Sequence, residues 1–436
     1  MEDVATRLKR EIFDKVREYC AVAHPARPFV PFESKVPYAG RVFDDREVVA
    51  LTGSALDFWL TLGPYAAEFE STMRGLFRTR DFILTNSGSS ANLAAITALC
   101  SPRLDGHLVA GDEVITPAVT FPTTLAPIVQ NGLVPVFVDC ELGTYDVDID
   151  EVAAAVTPKT RAVVVPHTLG NPCRMDRLME IVKAHDLWLV EDCCDALGAK
   201  FDGQMVGTFG DAATCSFYPA HHITLGEGGG VAVPSAKLAK IVRSVRDWGR
   251  DCWCEPGKSD TCGKRFEWQS GELPCGYDHK YIYSEIGYNL KPTDLQAAIG
   301  VVQIDRLDEF HARRLHNFQR LHAGLKPYQD FLILPSWYER AEPAWFAFPI
   351  TVRNGIARTD LVRWLEEARI ETRQIFAGNI VRQPAYQNVP HRIHRDLARS
   401  DIIMRDTFFV GVYPGITDAM VDFMIERFEA FFRRVA

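Results

Sequence analysis

Leu187-Trp188-Leu189-Val190-Glu191-Asp192 is the stretch on which the fold turns. Its four apolar residues follow one another without polar alternation, the pattern of a strand covered on both faces. The run ends in Asp192, which a parallel sheet would present at its carboxyl edge, where α/β folds bind their ligands. Working outward, similar β-branched runs stand at 114–115, 134–139 and 162–167, with segments of helical period at 148–156 and 175–186 between them. Strands alternating with helices predict an α/β fold built on a mostly parallel sheet. Gly228-Gly229-Gly230 reads as a turn into one more strand, and a long helical segment is expected over 293–325.

The same reading divides the chain. Residues 1–41 form a short helix and a Pro-rich arm, 42–325 a large ligand-binding domain, and 326–436 a smaller C-terminal α/β domain. Residues 251–280 break the rhythm, and an irregular stretch of that length inside a domain points to function. Hydrophobic residues make up 47% and charged residues 24%, which excludes disordered, collagen-like and coiled-coil classes. A formal charge of −9 without a basic run argues against nucleic acid as a partner. No apolar stretch approaches the ~18 residues of a membrane span, and no signal-peptide pattern is present, so a cytoplasmic protein with no membrane partner is expected.

Such a protein has little use for structural disulfides, so its cysteines ask for another explanation. Cys20, Cys100 and Cys140 are spread out and read as ordinary buried thiols. Cys194, Cys252, Cys254 and Cys262 give C-x57-C-x-C-x7-C, with Cys193 as a neighbour able to substitute. Four converging thiolates suit an iron–sulfur cluster or a zinc ion. The C-x-C spacing leans towards iron–sulfur, and the residues alone leave both open.

Three further motifs carry chemistry. Asn86-Ser87-Gly88-Ser89-Ser90-Ala91-Asn92-Leu93 leads a Gly/Ser turn into a helix, which reads either as a phosphate cradle or as a plain serine cap. Asp192 needs a cationic partner if buried, such as a protonated pyridine nitrogen, and is otherwise a helix cap. Ser216-Phe217-Tyr218-Pro219-Ala220-His221-His222 is followed by the glycine-rich turn.

The order of these motifs resembles the DegT/DnrJ/EryC1/StrS family of sugar aminotransferases, over about residues 40–430. The resemblance implies a large domain of the fold type I, pyridoxal-phosphate-dependent aminotransferase kind. It assigns Gly88, Ser89, Ser90 and Ser216 to the cofactor phosphate, Phe121 to stacking on the pyridine ring and Asp192 to its nitrogen. His167 falls at the family's His-x-x-Gly, and Asn289 would reach the phosphate of a neighbouring subunit, which implies a homodimer. Where the family carries its cofactor-binding lysine, this chain has His221. An imidazole cannot hold the cofactor covalently but moves protons well near neutral pH. Asp195 and Tyr218 replace the aminotransferases' usual residues beside it.

The lysine-to-histidine change together with the cysteine spacing resembles the cluster-bearing nucleotide-sugar 3-dehydrases within that family. This implies a non-covalent pyridoxamine 5′-phosphate (PMP), a [2Fe–2S] cluster on Cys194, Cys252, Cys254 and Cys262, and a nucleotide-linked 4-keto-6-deoxysugar as substrate. His221 would remove a proton from the cofactor's C4′, the C3 hydroxyl would leave, and an NAD(P)H-dependent flavin/iron–sulfur reductase would supply two electrons. Arg373 and Arg382 are candidate contacts for the substrate diphosphate, or else surface arginines. Two other classes stay in view: a cluster-free dehydratase with a zinc-stapled loop, and a non-catalytic nucleotide-sugar-binding protein.

Overall fold

The computed structural model describes residues 3–254 and 257–435. Its central sheet has strands β1 (Asp81–Thr85), β2 (Glu113–Pro117), β3 (Val134–Val138), β4 (Thr160–Pro166), β5 (Trp188–Asp192), β6 (Ala212–Ser216), β7 (Gly229–Val233) and β8 (Arg392–Ile393). The spatial order is β1-β7-β6-β5-β4-β2-β3-β8. β7 runs antiparallel to both neighbours, and every other pair is parallel.

Alternate residues of the middle strands enter two different cores, as strands covered on both faces require. Val114, Ala162 and Val190 face one, under the helices Gly88–Leu99 and Ala236–Arg246. Ile115, Val163 and Leu189 face the other, under Ile149–Ala155 and Met175–Ala184. The α/β expectation with a mostly parallel sheet is met. The carboxyl ends of β4, β5 and β6 therefore emerge side by side.

A second, four-stranded antiparallel sheet orders Leu332–Ile333, Ala347–Val352, Thr407–Gly411 and Thr372–Arg373. It packs with the helices Leu307–Leu325, Arg358–Glu367 and Asp418–Val435 in a core of its own. The C-terminal segment is not confined there, because β8 lies parallel to β3 at the edge of the large sheet.

Several details differ from the sequence reading. The N-terminal helix is 20 residues long, Val4–Ala23, rather than short. β1 and β6 were not expected. The segment over 293–325 is two helices, Asp294–Ile304 and Leu307–Leu325, broken at residues 305–306. The break lets the first pack on Asp45–Asp57 and the second on Asp418–Val435. Buried Glu47 ties this corner, accepting from Gln303 Nε2 and, at 3.2 Å, from Arg306 Nη1. The glycine turn is partly strand: a Cβ on Gly229 would stand 2.2 Å from the Ser87 carbonyl oxygen, so only glycine lets β7 reach the β1 turn. Cys100 is half-buried rather than buried. No described helix is long and apolar enough to cross a membrane.

Candidate active site

The carboxyl edge of the large sheet opens into a cavity of about 330 Å³ whose outer wall comes from the small sheet. After β1 the chain turns at Ser87, whose Oγ accepts from Ser90 N at 3.0 Å and caps the helix that begins at Gly88. A Cβ on Gly88 would lie 2.5 Å from Ser216 Cβ and 3.0 Å from Cys194 Sγ. Glycine is needed for this helix end to meet the ends of β5 and β6. Gly88, Ser89 and Ser216 line the cavity, while the Ser90 hydroxyl is paired with Ser87 behind it. Free N–H groups and hydroxyls at a helix start make a cradle for a phosphate.

Asp192, buried, sits opposite that cradle. Its Oδ2 accepts from Thr124 Oγ1 at 2.7 Å and Asn92 Nδ2 at 2.9 Å, and its Oδ1 from Cys194 N at 3.1 Å. Asn92 in turn accepts from Thr214 Oγ1 at 2.6 Å. A carboxylate fed by so many donors is fixed in direction, ready for a cationic ring nitrogen. Asn92 and Thr124 escaped the sequence reading. The signal was present, since Asn92 is a buried polar residue in an otherwise Ala-rich helix.

His167 lines the cavity beside Asp192, and neither ring nitrogen is free. Nδ1 accepts from Cys173 N at 3.1 Å, so Nε2 carries the proton and faces Glu191 Oε2 at 3.2 Å. Glu191 also takes backbone N–H groups of Gly207, Phe209 and Gly210. His167, Glu191 and Cys193 bring ligand atoms within 4.8 Å of one another. With the imidazole and carboxylate thus satisfied, they form a hydrogen-bonded knot rather than a metal site, and His167 offers the cavity only its ring face.

His221, Tyr218 and Asp195 meet on the other side. The turn closes by His221 N donating to the Tyr218 carbonyl at 3.0 Å. Asp195 Oδ1 stands 3.1 Å from His221 Nδ1 but off the hydrogen-bonding direction, so Nδ1 has no directed partner. Contacts of this kind often tighten only when substrate is bound. Tyr218 and Phe121 are each 49% exposed, leaving both aromatic faces open to a ligand. Arg373 reaches the cavity, its guanidinium over the Tyr38 ring at 4.1 Å. Arg382 does not: it is committed to Asp401, with contacts of 3.1 and 2.9 Å.

Asn289 is exposed and does not line this cavity. It lies in a region rich in exposed aromatic and apolar side chains, among them Trp248, Tyr283 and Ile286.

The loop cysteines are only partly gathered. Cys252 and Cys254 are in side-chain contact, and Cys254 Sγ lies 3.0 Å from Thr261 Oγ1. Burial would raise the Cys254 thiol, but hydrogen bonds from Thr261 and Cys252 and the charge of Lys280 hold it below the ordinary value. Cys194 is turned to Gly88 and Ser216, and burial together with the Asp192 carboxylate pushes its thiol well up. Among the described residues no three cysteine sulfurs lie within 4.8 Å of one another. A tetrahedral four-thiolate zinc site needs all its sulfurs roughly 3.8 Å apart, given Zn–S bonds of about 2.3 Å. Among its described residues the loop carries one short 3-10 helix, His279–Tyr281, and no strand to preset thiols. Among the described residues one pair of thiols is thus brought together, and the other two candidate ligands stand apart from it.

Residues 43–429 match the DegT/DnrJ/EryC1/StrS aminotransferase family. The chain belongs to that family. Among its relatives, "Lipopolysaccharide biosynthesis protein RfbH" of Salmonella typhimurium is 49% identical, over 98% of this chain and 99% of that one. The "dTDP-4-dehydro-2,6-dideoxy-D-glucose 3-dehydratase" of Saccharopolyspora spinosa is 50% identical, over 97% and 92%. Among solved structures, the E. coli GDP-4-keto-6-deoxy-D-mannose-3-dehydratase with bound hydrated PLP superposes with a TM-score of 0.81 at 29% identity, covering 90% of this chain and 98% of that one. The aminotransferase-like α/β fold expected from the motifs is thereby shown.

Proposed function

We propose that this family member removes the C3 hydroxyl of a nucleotide-linked 4-keto-6-deoxysugar, with PMP as a non-covalent cofactor. The observation that carries the reading is His221 standing with Asp195 and Tyr218 in the cavity that Asp192 and the Gly88 helix start equip for a phosphorylated pyridine. The relatives named as sugar 3-dehydratases support it. PMP supplies the amine that condenses with the 4-keto group and a ring able to hold the electrons released.

The chain's own residues do the rest. Ser89, Ser216 and the helix start take the phosphate, Phe121 covers the ring, and Asp192 keeps its nitrogen protonated. His221 removes the C4′ proton, and a positioned base of this kind contributes about 10²–10⁴-fold. Asp195 beside Nδ1 orients the imidazole. Tyr218 shares the departing hydroxyl's side of the cavity, and Arg373 is the diphosphate contact. Asn289 completes the phosphate site of a second copy, which makes the working unit a cytoplasmic homodimer.

The finer reading adds reduction at C3. A [2Fe–2S] cluster held by Cys194, Cys252, Cys254 and Cys262 would supply two electrons one at a time, drawn from an NAD(P)H-dependent flavin/iron–sulfur reductase. A cluster-free dehydratase that finishes by hydrolysis is the second reading, and the incomplete gathering of the thiols favours it. One anaerobic assay tests both, with purified protein, PMP, candidate 4-keto sugars and a reductase, alongside iron and sulfide content. Iron with sulfide and a 3-deoxy product support the reductive reading. Dehydration without iron leaves the hydrolytic one. No reaction of any 4-keto sugar, with PMP unbound, overturns both.

A further inference from the structure

The turn that carries His221 is held from behind by a cation that no sequence motif announces. Arg314, on the helix Leu307–Leu325, is 1% exposed. Its Nη2 donates to the His221 carbonyl at 3.0 Å and its Nη1 to the Phe346 carbonyl at 2.9 Å. Among the described residues no carboxylate lies within 4.0 Å of it, so it is a buried charge without a direct ion pair. Burial pulls its pKa down to about 10, and the carboxylate of Asp195 is the anion that offsets this most.

A lone buried guanidinium is costly to fold, and capping two carbonyls does not require a charge. The charge makes sense through what surrounds it. The segment 344–346 that Arg314 grips is a strap across the back of the site. Ala344 N donates to the Gly170 carbonyl at 2.9 Å and Phe346 N to the Leu169 carbonyl at 2.8 Å. His222 Nε2 meets the Ala344 carbonyl at 2.7 Å. The loop after His167 and the turn of His221 are thus sewn to one strap, with Arg314 at the join.

We infer that Arg314 is a positioning residue for proton abstraction: it fixes the His221 carbonyl and so holds the ring with Nδ1 3.1 Å from Asp195 Oδ1, a small turn short of the hydrogen bond that leaves Nε2 free to take the proton. This rests on the reading of His221 as the base. The role is geometric, so it has a signature independent of turnover, namely the tautomer of the His221 ring.

The test compares wild-type protein with Arg314→Gln and Arg314→Lys, using His221→Asn to assign the ring signal. Nitrogen-15 NMR of the cofactor-free protein should show the His221 ring protonated on Nδ1 in wild type and mixed in Arg314→Gln. With PMP and substrate, Arg314→Gln should lose roughly 10–100-fold in kcat, the scale of a small misplacement, with KM and PMP affinity little changed. Arg314→Lys, which keeps the charge, should recover part of it. A wild-type ring protonated on Nε2 overturns the proposal even if neither variant folds. So does a loss in Arg314→Gln that falls equally on KM and PMP affinity, the mark of a merely structural role. If His221→Asn itself exchanges the C4′ proton at the wild-type rate, the reading of the base fails, and the tautomer comparison still reports whether Arg314 sets the ring.

Discussion

The cavity at the sheet edge and the loop over 251–280 both carry residues with chemistry to do, and they are built in opposite ways. In the cavity the groups at the strand ends are anchored before any ligand arrives, and only the His221 turn keeps an unpartnered ring nitrogen. Asp192 takes three donors, Glu191 takes three backbone N–H groups as well as facing His167, and Gly88 is pressed against β6. In the loop, the described residues have almost no regular structure: Cys252 and Cys254 touch, and Trp253, Trp268 and His279 pack their rings together, with no sheet beneath them. Strand ends fix geometry because the sheet's hydrogen bonds and two cores hold them. A loop of this kind acquires its geometry when a ligand supplies the energy, as metal sites coupled to folding do. The lesson is that the strand ends are preorganised, whereas any centre in the loop would have to be assembled by the ligand it binds.

The sharpest way to break this comparison is to damage the loop and watch the cavity. If the proposed reductive reading holds, Cys252→Ser abolishes bound iron, sulfide and C3 reduction outright. Exchange of the C4′ proton from tritiated PMP should continue, because abstraction needs no outside electrons. Cys193→Ser, altering a thiol buried away from the cavity, should leave both unchanged. Retained iron in Cys252→Ser with loss in Cys193→Ser would reverse the ligand assignment.

Damage to the cavity should have the converse effect. His221→Asn is expected to slow C4′ exchange by about 10²–10⁴-fold while PMP still binds and the metal content is unaltered. Exchange rate and iron content measured on the same samples decide it. A loss of metal in this variant would mean the two regions are not separable.

A milder change sharpens the point about preorganisation. Gly88→Ala places a methyl against Ser216 and Cys194, and overpacking of this kind costs about 1–3 kcal/mol. Thermal unfolding should show the loss, and phosphate-dependent affinity for PMP should fall with it. An unchanged Tm would show that the cavity floor yields more easily than its packing implies.

The smallest effect is expected at the opposite end of the sheet. Glu113, at the start of β2, pairs with Arg392 of β8 at 2.7 Å. Arg392, aided by Thr157 and Thr160, holds its carboxyl below the ordinary 4.5 despite partial burial. A depressed carboxyl contributes stability above its unfolded pKa and loses it as pH falls through the folded one. Glu113→Gln should therefore be less stable than wild type near neutrality, by about 1 kcal/mol, since Glu113 is buried but its partner Arg392 is partly exposed. The difference should close below about pH 4.5, the carboxyl's ordinary value. Denaturant melts across pH would show it, and PMP affinity should not move.

Much of this molecule was legible in the residues alone. Unbroken apolar runs at β3, β4 and β5 announced a sheet buried on both faces, because a strand's neighbours on each side leave a local imprint in hydrophobicity. Asp192 at a strand end and the Gly/Ser helix start were visible for the same reason, each a local pattern with a local physical cause, while His221 in a lysine's place was visible only through the family resemblance. β1 and β6 were missed although they are as long as β3 and β5: β6, Ala-Ala-Thr-Cys-Ser, has little β-branched apolar character, and β1 runs straight into the Gly/Ser turn that drew the reading. The break at residues 305–306 was missed because two helices on different partners share one period. Tertiary structure alone decided the rest. Asn92 and Thr124 reach Asp192 across 100 and 68 residues of chain, and Arg314 reaches the His221 carbonyl across 93. No spacing in the sequence encodes such pairs, since they depend on which surfaces the sheet and its covering helices bring face to face. The sequence by itself fixed which groups could do the chemistry, and the packing of one sheet against another decided which of them stand close enough to do it.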